Sequence, residues 1–146
     1  MLAAVWDTPY NVVYLVHLLS IVLGVGMAFL APVLTVRARR EGNEVVMAFV
    51  DSAASAVVFP ALLVTGTAGG ALVGMSSDFY DFQQTWLAIG GAVWMLTLAL
   101  AAAVYPPIWL KVVTVGPELQ QRLGAVLHLS LAFMLVLMTW KFGSPI

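Results

Sequence analysis

The sequence predicts an all-α fold: a four-transmembrane-helix bundle, up-down, with both termini outside. Three observations lead there. Hydrophobic residues make up 62% of the chain and charged residues 9%, against about 45–50% and 25% in ordinary soluble domains. Four apolar segments follow one another, each reaching the ~20 residues that cross a bilayer. Lysine and arginine gather beside alternate connections. The segments are placed at 11–36, 45–75, 84–113 and 119–141, and residues 1–146 are read as a single integral membrane domain.

Segment one follows MLAAVWDTPY, which lacks a basic start, and its apolar run is too long for a signal peptide, so it is read as a mature helix. It carries His17, with Ser20 and Gly24 on the same face, and ends in Arg37, Arg39 and Arg40. Segment two starts beside Glu44 and holds Asp51, a bend at Pro60, and Gly66, Gly70 and Gly74 at intervals of four. Segment three opens on Trp86 and continues with Gly90 and Gly91. Small residues let membrane helices approach closely, so these glycines are expected to pack segment two against segment three. Pro106-Pro107 removes two backbone donors, which predicts a kink and freed carbonyls near Ala102 and Ala103. Segment four runs between Arg122 and Lys141 and contains His128, Met134 and Met138.

The basic residues set the orientation. Arg37, Arg39, Arg40, Lys111 and Arg122 flank the first and third connections, and only Lys141 lies at the other end, with Asp7, Asp78 and Asp81. The positive-inside rule places loops one and three in the cytoplasm. RARR reads as an anchor to anionic lipid, and a net charge of −1 gives no support to nucleic-acid binding. The chain has no cysteine, which excludes disulfides, thiolate metal sites, iron–sulfur clusters and covalently attached haem.

Ionisable groups inside a membrane are candidate functional sites, because hydrocarbon cannot solvate them. His128 lies about 9 Å from the cytoplasmic boundary and Asp51 about 10 Å, from the rise per helical residue. Their depth and small neighbours predict an Asp51–His128 hydrogen bond or ion pair, with two readings open: a proton-carrying pair, or a polar clamp. His17 lies about 9 Å below the outer boundary, too far from His128 for the two to share one haem iron. Met134 is level with it, and Met138 is one turn further out. The thioethers are read chiefly as core filler and secondarily as soft ligands. His17 is either a haem ligand or a satisfied core histidine. No catalytic residue stands out, and no metal is identified by spacing.

An early histidine in helix one, Pro60…Thr65-Gly66 in helix two, Trp86-Leu87 opening helix three and a fourth helix closing on Lys141-Phe142-Gly143 resemble a group of small bacterial four-helix integral membrane proteins of unknown function. The same order is distantly similar to the HemJ-type protoporphyrinogen oxidase and to the membrane domain of copper-resistance D proteins. The resemblance spans nearly the whole chain. It implies the bacterial cytoplasmic membrane and a haem role for His17. Two hallmarks of the oxidase do not carry over. Its helix-one arginine is replaced by the run Phe29-Leu30-Ala31-Pro32-Val33, and its lysine after the tryptophan by Leu87, Ala88 and Ile89.

Three expectations follow. The first is a non-catalytic accessory or structural subunit of a larger membrane complex, respiratory or redox, with haem as a candidate cofactor and other membrane proteins or itself as partner. The second is a HemJ-like haem-dependent oxidoreductase. The third is a copper or proton transport component.

Overall fold

A computed structural model describes residues 7–76, 79–107, 109 and 115–141. Among the described residues there are four helices and no strand: α1 (Thr8–Arg40), α2 (Glu44–Met75), α3 (Thr85–Val104) and α4 (Pro117–Trp140). All four are long and apolar enough to cross a membrane. The shortest, α3, has 20 residues and at the helical rise spans about 30 Å, the thickness of the hydrocarbon.

Local chemistry sets the ends. Proline sits in the first turn of α1 and of α4, where its missing N–H would have had no partner. Arg37, Arg39 and Arg40 occupy the last turn of α1, where cations complement the helix dipole. The α1–α2 turn closes over three residues because Gly42 adopts φ +66°, a conformation open to a residue without Cβ. The Asn43 side chain then caps α2 by accepting the Val46 N–H at 3.1 Å.

Helix α3 corrects one expectation. Helix α3 ends at Val104, and residues 105–107 are not helical, so segment three is broken at the prolines rather than kinked. A residue before proline is pushed out of the helical region, and Tyr105 has φ −124° and ψ 69°. Its N–H still closes on the Ala101 carbonyl at 2.8 Å. The Val104 carbonyl is met by Gln120 Nε2 from α4 at 3.0 Å. Residues 108 and 110–114, Lys111 among them, lie outside the described residues, as do Asp78, Phe142 and Gly143.

Helix α1 packs chiefly on α2 and α3 chiefly on α4, while α1 meets α4 at few points. His17 faces Gly69 and Gly24 faces Ala61 and Leu62, so contacts climb one helix as they descend the other. The inner core unites Ala28 and Ala31 of α1, Ala54, Val58 and Leu62 of α2, Leu100 and Ala101 of α3, and Leu127 and Leu131 of α4. A second cluster at the other end joins Val73, Trp86, Leu87 and Leu137, with Tyr80 and Met138 against it.

The glycines divide differently from the sequence expectation. Gly66 does meet α3, through the Trp94 indole, whose Nε1 donates to the Leu62 carbonyl at 3.0 Å. A Cβ on Gly66 would fall 1.8 Å from the indole. Gly90 faces Leu137 and Met138 of α4 instead of α2. Among the described residues, Gly70, Gly74 and Gly91 have no neighbour within 4 Å of where a Cβ would stand, so the close approach expected there is not made between these helices. Helix rotation is the reason: the seam between α2 and α3 is narrow and wedged by one tryptophan.

Candidate functional site

The polar side chains of the spans form separate stations. In the half of the bundle away from the arginines, His17 Nδ1 lies 2.8 Å from the Thr65 carbonyl. A carbonyl can only accept, so Nδ1 carries the proton and Nε2 of the neutral ring keeps its lone pair. Gly69 makes room for the ring, whose Cε1 lies 3.1 Å from a hypothetical Cβ there. Thr65 Oγ1 donates to Ser20 Oγ at 2.9 Å or to the Ala61 carbonyl at 2.8 Å, and Ser20 Oγ donates to the His17 carbonyl at 2.8 Å. The Thr65 carbonyl thus holds His17 in one tautomer. An Nδ1–H bonded to a carbonyl with Nε2 free is the arrangement that orients metal-ligating histidines.

Met134 is half-buried and makes no hydrogen bond or ring contact with His17, whose polar contact runs to α2. Met138 packs against the cluster of Val73, Trp86, Leu87 and Leu137, as a filler does. Beside that cluster Lys141 Nζ donates to the Tyr80 hydroxyl at 2.9 Å and stands 5.0 Å from the Tyr80 ring centroid and 5.9 Å from that of Trp86.

Between α3 and α4, Thr97 Oγ1 and Ser130 Oγ lie 3.1 Å apart and each also donates back along its own helix. This is a closed pair with no free donor.

The third station is at the arginine end. Pro32 lacks the N–H that would bond to the carbonyl four residues back, so the Ala28 carbonyl is left without its helical donor. His128 Nε2 meets that oxygen at 2.9 Å, and the Tyr105 hydroxyl lies 3.5 Å from it. His128 Nδ1 meets the Gly124 carbonyl of its own helix. The neutral ring has one N–H for these two acceptors. Phe29 packs edge-on against the imidazole, centroids 4.9 Å apart. Sequence reasoning passes over this bridge between α1 and α4. Its readable signal is Pro32, four residues after Ala28.

The expected Asp51–His128 bond is not made: both histidine nitrogens face carbonyl oxygens, which share the one N–H of the neutral ring. Ser20 beside Thr65 and Gly24 beside Ala61 set the α1–α2 register, which places Asp51 opposite Leu34. Asp51 therefore lies six residues, or about 9 Å, nearer the arginine end than the Ala28–His128 contact. Both side chains nonetheless line one cavity of about 740 Å³, with Thr35, Arg39, Ser55 and Tyr105. Burial first, and the Asp51 carboxylate second, push the Tyr105 phenol above its ordinary value, so it stays a hydroxyl at neutral pH. No group of three or more histidine or acidic side chains suited to a metal ion occurs among the described residues.

No family model, curated protein or solved structure matches this chain.

Proposed function

We propose that this chain is a non-catalytic accessory subunit of a larger membrane complex, residing in a bacterial cytoplasmic membrane. In this reading the helices run up and down, with the arginine end in the cytoplasm and both termini outside. The observation that carries it is the outward set of glycines. Among the described residues, nothing stands within 4 Å of where a Cβ would be on Gly70 and Gly74 of α2 or Gly91 of α3. Glycine weakens a helix by about 1 kcal/mol relative to alanine and offers lipid no side chain. Its value on a membrane helix is to let a second helix approach.

Size-exclusion chromatography in a mild detergent tests this reading. The wild type is expected to elute as an assembly larger than one protomer. Gly70→Leu with Gly74→Leu is expected to release the protomer while retaining helicity. A wild type that elutes as a single protomer in every mild detergent overturns the proposal.

A second reading is favoured by the His17 geometry. With Nδ1 fixed on the Thr65 carbonyl, Nε2 is the imidazole nitrogen available to a haem iron, and bound haem would supply one-electron chemistry. A Soret band in the purified protein that disappears in His17→Ala supports it. Colourless protein from haem-supplemented cells refutes it.

A further inference from the structure

We infer that the cavity at the arginine end is a binding site for an aminoalkyl phosphate, with the primary ammonium group at Asp51 and the phosphate at Arg39. The cavity holds about 740 Å³, and both residues line it. Both side chains are exposed, and among the described residues no ion pair or hydrogen bond is seen for the Asp51 carboxylate or the Arg39 guanidinium, whereas Arg37 pairs with Glu41. An unpaired carboxylate part-way into a membrane span is costly and marks a place where a cation or proton is bound.

The hydroxyls sort in the same way. Ser20, Thr65, Thr67, Thr97, Ser130 and Thr139 all donate to carbonyls three or four residues back on their own helices. Ser55, one turn from Asp51 and lining the cavity, makes no such bond and stays available. An ammonium group has three N–H donors. Asp51 and Ser55, one turn apart on α2, supply acceptors on the cavity wall, and Tyr105 lines the same cavity.

The positions of the two charges select a zwitterion. In the α1–α2 register Arg39 lies opposite Val46, so Asp51 is about five residues, or roughly 7.5 Å, deeper. A simple cation at Asp51 would have the Arg39 guanidinium on the same cavity wall against it. A simple anion would meet two carboxylates, Asp51 and Glu118. A molecule with its ammonium inward and its phosphate at the mouth meets complementary charge at both ends, and the guanidinium fork suits a phosphate. This chemistry has two sources, a free aminoalkyl phosphate and the headgroup of phosphatidylethanolamine. The site lies at the opposite end of the bundle from His17 and away from the outward glycines, so it stands apart from both readings above.

The test uses the full chain in phosphatidylcholine nanodiscs, titrated calorimetrically with O-phosphoethanolamine and, for comparison, with O-phosphocholine, whose quaternary nitrogen has no N–H. In parallel, native mass spectrometry counts the lipid retained from mixed phosphatidylethanolamine–phosphatidylcholine discs. Binding of free phosphoethanolamine over phosphocholine identifies a soluble ligand, and retention of phosphatidylethanolamine over phosphatidylcholine identifies the lipid. Whichever is found, Asp51→Asn and Arg39→Gln are each expected to weaken it about tenfold or more, the loss of one charged hydrogen bond. Arg40→Gln, outside the cavity wall, leaves it unchanged. Helicity and elution volume are checked for each variant, and Ser55→Ala provides a milder second probe. The inference is overturned if neither ethanolamine compound is preferred to its choline counterpart, or if folded Asp51→Asn binds as the wild type does.

Discussion

Replacing Gly66 with alanine adds one methyl group where the structure has none to spare. The new Cβ would stand 1.8 Å from Trp94 Cε2 and 2.1 Å from Nε1. Carbon atoms rest about 3.5 Å apart or more, so the indole must retreat by about 1.7 Å. That exceeds what its hydrogen bond to the Leu62 carbonyl, 3.0 Å long, can absorb. Overpacking costs about 1–3 kcal/mol and the lost hydrogen bond about 1 kcal/mol. Alanine returns up to about 1 kcal/mol through helix propensity. The expected net loss is about 1–3 kcal/mol. Gly70→Ala supplies the control, because nothing stands within 4 Å of its Cβ position, and the same propensity gain makes it neutral or slightly stabilising. The assay is reversible unfolding in mixed micelles, followed by far-UV ellipticity. A cycle with Trp94→Ala isolates the clash, since Gly66→Ala should become harmless once the indole is gone. If Gly66→Ala is as stable as the wild type, or costs the same in the Trp94→Ala background, the wedge is not what joins α2 to α3.

Three further outcomes are expected. His128→Phe removes the imidazole whose one N–H the Ala28 and Gly124 carbonyls share and should cost about 1–3 kcal/mol; in a Pro32→Ala background, which restores the helical N–H to Ala28, the loss should shrink, as unfolding titrations can read. Gly69→Val should crowd the His17 ring, 3.1 Å from the added Cβ, and shift its ¹⁵N resonances, while Gly26→Ala, facing open space, should not. The Tyr105 phenol has its affinity for the proton raised on folding, so the folded state holds that proton more tightly than the unfolded state. Stability is then unaffected below the ordinary tyrosine value of 10.0 and falls as pH rises through the folded value. Absorbance near 295 nm should show Tyr105 ionising after the exposed tyrosines, and Asp51→Asn should bring its transition down.

Much of the frame was legible from composition and run length. The spans expected at 11–36, 45–75 and 119–141 correspond to Thr8–Arg40, Glu44–Met75 and Pro117–Trp140, because the hydrocarbon sets a helix length that an apolar run must meet. The third was legible at its start and misread at its end. Proline in the interior of a membrane helix is tolerated often enough to suggest a kink, but here Pro106 disfavours the helical region at Tyr105 and Pro107 does the same at Pro106. His17 could be picked out as a polar group needing an explanation, whereas its partner, a backbone carbonyl of α2, has no signature in the letters.

The sequence by itself determined the helical class, the number of spans and the end of the molecule that carries positive charge. These follow from hydrophobicity and charge, which are properties of residues taken one at a time. Only the tertiary structure decided that His128 serves the carbonyl freed by Pro32, that Asp51 opens into the same cavity without touching it, and that Gly66 is filled while Gly70 and Gly74 are bare. Those outcomes depend on how far each helix is rotated and slid against its neighbour. Consecutive positions on a helix turn by about 100°, so a small rotation exchanges a core position for an outward one while leaving the apolar pattern of the sequence unchanged.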